Sequence, residues 1–357
     1  MTLLPTATEI LARARGDLRL GLPVAVRDGT NIILVLAAEG LQGDRLAALR
    51  QIGSADLVLS GWRAETLKIQ VYDGDIARIE VPQDVGMDWV LSAADPVDDL
   101  SNPLRGPFAV RRGGSARLHR LGVRLAKSAH LLPSVLAVAA PSVPEGITVL
   151  DAGPAEAALD AAPDHANVVN GRVPLSLANA GRVHVFRPVS GAEEHVVVEI
   201  GRPDRRKPVL TRLHSACFTG DVLGSLKCDC GPQLQSALQT IGAEGEGLLL
   251  YLSQEGRGIG LANKMRAYAL QDQGFDTVDA NHRLGFEDDE RDFRIGADLL
   301  KKMGFSAVRL MTNNPAKVAM LQAQEIIVDR REPLRVGRGP ENTKYLDVKA
   351  KKSGHLL

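Results

Sequence analysis

Residues 212–233 read R-L-H-S-A-C-F-T-G-D-V-L-G-S-L-K-C-D-C-G-P-Q and hold every cysteine of the chain, Cys217, Cys228 and Cys230, in the spacing Cys-x10-Cys-x-Cys. Three thiolates with no fourth Cys suit a zinc ion whose last tetrahedral position is left to water, which is how catalytic zinc sites differ from closed structural ones. His214 is near enough in sequence to complete a closed set, and three small buried thiols with no metal are the plainest alternative. Spacing alone leaves these readings open.

At 357 residues the chain is long for one domain and sufficient for two, each able to bury its own core. Lys plus Arg and Asp plus Glu number 43 each, so the net charge is zero with His neutral. Without a cationic excess, a general nucleic-acid binder is disfavoured. The odd, clustered cysteine count argues against a disulfide framework and for a reducing compartment. The opening M-T-L-L-P-T-A-T-E-I lacks a basic region followed by an apolar run, and no apolar stretch of ~18 residues follows. A cytoplasmic protein with no membrane partner is the expectation.

Along the chain, T-E-I-L-A-R-A-R suggests a helix capped by Thr8, and V-A-V-R-D-G-T-N-I-I-L-V-L a strand, a turn at Asp28-Gly29 and a second strand. Helical spacing returns over 41–52, with a buried strand at 56–59. Residues 83–115, rich in Pro, Gly and Asp, read as loop; 119–130 read as helix and 135–140 as strand. Residues 150–182, with D-A-G-P-A-E-A-A-L-D-A-A-P-D, read as a linker. V-H-V-F, H-V-V-V-E-I and P-V-L-T-R-L-H then read as the start of an antiparallel sheet. The alternation of strands and helices predicts a mixed α/β (α+β) fold in two domains, 1–170 and 178–345, with a tail at 346–357.

In the first domain, L-R-L-G-L-P-V-A-V-R-D-G with L-V-L-A-A-E, and then L-H-R-L-G-V-R-L-A-K-S-A-H-L-L-P, resemble the skeleton of 3,4-dihydroxy-2-butanone 4-phosphate synthase. That family holds magnesium with an acidic cluster after its second glycine-led strand. Here residues 27–33 contain one acid, Asp28, and Arg120 stands beside His119 where the family has Thr. A magnesium site needs several carboxylates together, so the resemblance implies a degenerate domain without that activity, with a packing or dimer-forming role.

The second domain carries chemistry beyond the cysteines. S-Q-E-G-R-G-I-G-L-A-N-K places Gly256, Gly258 and Gly260 where backbone can approach a ligand closely, with Arg257 and Lys264 suited to phosphate. A flexible turn is the bland alternative. Glu255 can accept from the adjacent N–H groups of a guanine edge, or be a solvated loop acid. In A-N-H-R-L-G-F-E-D-D-E-R-D-F most charges read as a solvated helix start, with Asp289 and Arg291 held as a base and an anion handle. T-N-N-P-A-K reads as a capped helix start, where Lys317 adds a full charge to an anion-binding terminus.

Taken in order, R-L-H-S-A-C, G-D, C-D-C-G, Q-E-G-R-G-I-G-L, A-Y-A-L-Q, A-N-H, D-E-R-D-F and T-N-N-P-A-K resemble GTP cyclohydrolase II of riboflavin biosynthesis, from about residue 178 to the C-terminus. The resemblance implies that Cys217, Cys228 and Cys230 hold catalytic Zn2+. It implies that Arg212, Leu213, His214, Ser215, Ala216, Gln233, Glu255, Gly256, Arg257, Thr277, Thr312 and Lys317 contact GTP. It makes Asp289 a proton acceptor, Arg291 the nucleophile on the α-phosphate, and Tyr268 a neighbour of the reacting ring. Mg2+ on the GTP phosphates and a homodimer are implied too. Two positions depart from the family pattern: Ala216 stands for a Glu, and Ser253 for a common Arg. They leave open a diverged homologue with another product or a pyrimidine-catabolic role, or a zinc-stabilised nucleotide-binding module without turnover.

Overall fold

A computed structural model describes residues 3–343, 347, 354 and 356, apart from 104 and 179. The chain forms two compact units, Met1–Ala161 with Ala262–Glu290, and Ala162–Leu261 with Arg291–Leu357. The chain passes from the first unit to the second between Ala161 and Ala162, and residues 262–290 return to the first unit. Of the tail read at 346–357, all but Asp347, Gly354 and Leu356 lies outside the described residues.

The first unit is built on a six-stranded sheet in the order Ile76–Glu80, Ala55–Ser60, Ser134–Ala139, Asn31–Ala37, Val24–Asp28, Val149–Asp151. Successive residues of the apolar strands enter opposite cores: Val24, Val26, Val35 and Ala37 pack on one face, Ala25, Leu34 and Leu36 on the other. This period of two explains an almost continuous apolar run in a sheet covered on both sides. The turn at Asp28-Gly29 forms as expected, with Asp28 facing Asn31 and Gly29 at φ +58°. The first helix, Ala7–Arg19, is capped by Thr6 rather than Thr8. The Thr6 hydroxyl accepts the Glu9 N–H while the Glu9 carboxylate accepts the Thr6 N–H, a reciprocal box that Thr8 is placed too late to make. The expected loop at 83–115 contains a helix, Met87–Ala94, that buries Val90, Ala93 and Ala94. Two turns of apolar spacing were hidden between Gly and Asp runs.

The second unit is built on a seven-stranded sheet in the order Ile327–Glu332, Ala307–Met311, Val209–Ser215, Gly247–Leu252, His195–Ile200, Ala180–Pro188, His165–Pro174. The first four strands are mutually parallel and the rest antiparallel. Val209–Ser215, read as a third antiparallel strand, lies in the parallel half, because the helix Cys230–Glu244 carries the chain back to start Gly247–Leu252 in the same direction. Within the expected linker at 150–182, Ala-rich 152–160 is helix, as high Ala propensity favours, and His165–Pro174 pairs with Ala180–Pro188, with a bulge between Asn167 and Val169.

His165 and His195 are buried in this unit with ring centroids 5.1 Å apart; His165 Nδ1 is 2.7 Å from Asp298, and His195 Nδ1 accepts the Ser253 N–H at 3.0 Å. Burial, and then His165, hold the His195 pKa down to about 4. A depressed folded-state pKa leaves the contribution of neutral His195 complete above the unfolded value of ~6.5 and removes it as pH falls towards 4. At 1.36 kcal/mol per pKa unit, wild type is expected to lose roughly 3 kcal/mol more than His195→Gln between pH 6.5 and 4. Urea unfolding across that range checks it, and equal losses would refute it.

Candidate metal centre and substrate pocket

Strands Val209–Ser215, Gly247–Leu252 and Ala307–Met311 lie side by side and parallel. Each runs at its carboxyl end into one of the sequence motifs: Ser215 into Ala216-Cys217, Leu252 into Ser253-Gln254-Glu255, Met311 into Thr312-Asn313-Asn314. The chain leaves the central strand for a neighbour on one side and later returns on the other. Their carboxyl ends therefore form a topological switch point, the crevice where open α/β sheets take ligands.

The three sulfur atoms lie there within 4.8 Å of one another, with Cys217 Sγ 3.7 Å from Cys228 Sγ. Zn–S bonds of ~2.3 Å at tetrahedral angles put sulfurs about 3.8 Å apart, so the donor set fits zinc. His214 is not among the group; its Nε2 lies 3.0 Å from both oxygens of Asp221. The contact with the Cys217 thiol pushes the Cys228 thiol up, as expected where crowded sulfurs resist ionising without a cation. Gly220 packs directly on the cluster. A Cβ there would meet Cys228 Sγ at 2.8 Å and Cys217 Sγ at 3.1 Å. Gly220→Ala is expected to weaken zinc binding by about tenfold or more, the scale at which displaced supporting groups act; competition with a coloured chelator measures it.

Cationic groups line the same strand ends. Arg212 is buried, donating to Met311 O at 3.0 Å and to Gln233 Oε1 at 2.5 Å, while Gln233 donates to Asp229. Burial lowers its pKa to about 10, offset in part by Asp229, so it remains a cation at neutral pH. Lys317, also buried, donates to Leu213 O at 2.9 Å. Arg291 donates to the Ser215 hydroxyl at 3.4 Å, and Arg291 and Lys317 both stand over the Phe293 ring, at 4.7 and 5.0 Å. Asn314 caps the helix Pro315–Ala323, and the buried Thr312 hydroxyl accepts the Asn314 N–H. Ala216 is held by its N–H to Leu252 O at 2.8 Å.

Glu255 accepts the Phe218 N–H at 2.6 Å through one oxygen and the Gly256 N–H at 2.9 Å through the other. Gly256 and Arg257 both adopt left-handed backbone, at φ +62°. For arginine that conformation carries strain, and such strain clusters at ligand-binding loops. Leu213, His214, Ser215, Gln233, Thr312 and the other residues named so far all belong to the second unit.

Tyr268, Thr277 and Asp289 belong to the first unit. Lys264 stands over the Tyr268 ring at 5.7 Å, and Thr277 opens the helix Thr277–Leu284, its hydroxyl accepting from Gln271 at 3.4 Å. Three residues received no role in the sequence reading: Asp221 and Phe293, which stand in the quoted motifs G-D and D-E-R-D-F, and Tyr251, which stands in none. Asp221 accepts from Cys217 N–H and Tyr251 O–H. A signal for Tyr251 existed, since it is the one polar side chain in the buried run G-L-L-L-Y-L.

The family model of GTP cyclohydrolase II matches residues 167–333. A GTP cyclohydrolase-2 of Azospirillum brasilense is 38% identical over 366 residues, covering 98% of this chain and 94% of its own length. A GTP cyclohydrolase-2 of Escherichia fergusonii is 57% identical over 172 residues, covering 48% of this chain and 87% of its own. Among solved structures, a two domain 3,4-dihydroxy-2-butanone 4-phosphate synthase from A. baumannii covers 90% of this chain and 99% of its own at 13% identity, with a TM-score of 0.31. That score is too low to bear on the fold. The likeness to the Azospirillum protein runs through both units, and on that ground the chain belongs to the GTP cyclohydrolase II family.

Proposed function

We propose that this protein is a zinc-dependent GTP cyclohydrolase II. It hydrolyses GTP to 2,5-diamino-6-(5-phospho-D-ribosylamino)pyrimidin-4(3H)-one, formate and pyrophosphate, a step of riboflavin biosynthesis in the cytoplasm. The observation that carries this reading is the trio of thiols at the carboxyl ends of the parallel strands, beside the buried cations Arg212 and Lys317. Cys217, Cys228 and Cys230 would hold the zinc, which when bound lowers the pKa of a coordinated water from 15.7 towards ~7 and so makes hydroxide available for attack on C8 of guanine.

The chain's own residues do the rest. Arg212, Arg257, Arg291 and Lys317 would offset phosphate charge, and Mg2+ bound with the GTP phosphates would supply further positive charge. Arg291 is the group assigned to the α-phosphate and Asp289 the proton acceptor. Tyr268 and Thr277 complete the substrate contacts, and Glu255 receives the guanine edge. Residues 1–170 serve packing or homodimer formation. In support, Asp28 is taken up by Arg117 at 2.7 Å and Arg27 by Asp151, where a magnesium site would need uncommitted carboxylates.

The test is release of formate and pyrophosphate from GTP by the purified zinc-loaded protein; no formate at any zinc loading rejects the reading. A diverged reaction has one observation in its favour. Ser253 sends its hydroxyl to Glu194 O at 2.7 Å and its N–H to His195, so the position that commonly holds Arg contributes no cation. Mass spectrometry of the product decides, since retention of C8 would favour that reading.

A further inference from the structure

We infer that Asp221 is the positioning residue of the metal centre, its carboxylate fixing the turn of backbone that presents Cys217 to the ion. The inference rests on the zinc reading above. Asp221 lies between the first and second cysteine ligands, in the wide helical turn Phe218–Val222, and its side chain is 3% exposed. One carboxylate oxygen accepts the Cys217 N–H and the Tyr251 O–H, each at 3.0 Å, and His214 Nε2 lies 3.0 Å from both oxygens. The Asp221 N–H returns to Cys217 C=O at 2.7 Å. The ligand residue is thereby gripped from both sides of its peptide, by the side chain and by the main chain of the same aspartate.

The clamp is anchored in the sheet. His214 and Tyr251 are direct partners across the parallel pair Val209–Ser215 and Gly247–Leu252, with ring centroids 5.6 Å apart. A buried carboxylate is tolerated only when its lone pairs are met, and here three donors on two strands and a turn meet them. The carboxylate also adds a fixed negative charge near three sulfurs, which favours a divalent cation over the empty cluster. For His214 to donate from Nε2, the neutral ring must leave Nδ1 as an acceptor, and that nitrogen is buried without a partner.

A purely structural turn former would affect folding and leave the metal alone, so the test reads the metal. Zinc dissociation constants for wild type, Asp221→Asn and Tyr251→Phe come from chelator competition, the cobalt(II)-substituted proteins give their ligand-field and thiolate charge-transfer bands, and the metal-free proteins are melted. Asp221→Asn is expected to bind zinc 10–100-fold more weakly, the usual effect of losing a partner that orients a ligand, with a shifted cobalt band. Tyr251→Phe removes one donor and keeps the carboxylate. It is expected to lose about threefold or more in zinc affinity while its metal-free melting stays near wild type, and it keeps the inference testable if the aspartate variant does not fold.

Wild-type affinity and spectrum in both variants would overturn the inference. Wild-type protein that takes up no zinc would sink the metal reading and this inference with it. Wild type that binds zinc but releases no formate would sink only the catalytic reading, and weaker binding by the variants would still uphold the role of Asp221.

Discussion

Cys230→Ser is expected to lose its zinc and its formate release together. Cys230 opens the helix Cys230–Glu244, so its sulfur sits where the partial positive charge of the helix terminus favours a thiolate. Serine is nearly the same shape, but its hydroxyl does not ionise in this range and is a poor zinc donor. Two thiolates then remain where three were, and the site falls below the donor count of a catalytic zinc. Losses one shell further out typically cost 10–100-fold, so removal of a ligand should exceed that. The expectation is less than ~0.1 zinc per chain and formate release down by more than about a hundredfold, with the fold intact by circular dichroism. Metal analysis beside a formate assay measures both. Formate release within tenfold of wild type would contradict the assignment, and intact GTP binding with no wild-type turnover would favour the non-catalytic module.

The second large effect lies in the other unit. Arg63 is 1% exposed and donates in a fork to Asp99, at 2.5 and 2.9 Å, and to the carbonyls of Ala93 and Ser92, at 2.8 and 3.3 Å. Arg63→Met would strand the Ala93 carbonyl, while Ser92 O keeps Arg105, and would remove a main counter-charge of a nearly buried carboxylate. Breaking such a pair costs ~3–5 kcal/mol. Arg105 at 2.5 Å and Arg283 at 3.5 Å still face Asp99, which places the loss near ~3 kcal/mol. Both tryptophans of the chain, Trp62 and Trp89, lie in this unit, so urea unfolding followed by tryptophan fluorescence reads it directly. An unchanged midpoint would mean that the ion pair is not the keystone its burial indicates.

What could be read from the sequence was what is local in it. The cysteine trio spans residues 217–230, and the glycine loop and the T-N-N-P-A-K turn each follow a strand, so type and spacing revealed them without tertiary knowledge. Asp221 and Tyr251 were missed because their meeting depends on which strand lies beside which. Tyr251 reaches the aspartate only because Gly247–Leu252 returns parallel to Val209–Ser215, and that strand had been read as antiparallel. The allegiance of residues 262–290 was hidden for the same reason. Arg266 pairs with Asp95 at 2.8 Å and Glu39 at 3.1 Å, and Asn263 donates to His130 O at 2.9 Å, partners more than a hundred residues away. Helix 87–94 and the helix and strands within 150–182 were lost to composition, since Ala, Gly and Asp look like linker until burial of a few small side chains decides otherwise.

Gly231 lies so close to the carbonyl of Gly220 that a Cβ would stand 2.3 Å from its oxygen. Peptide therefore rests on peptide beside the cysteine cluster, so main-chain packing as well as any bound ion braces the site. Small domains that fold only around their metal behave otherwise. If the proposed zinc reading holds, the ion that fills the site would follow the general ranking of divalent affinities together with the supply of each metal.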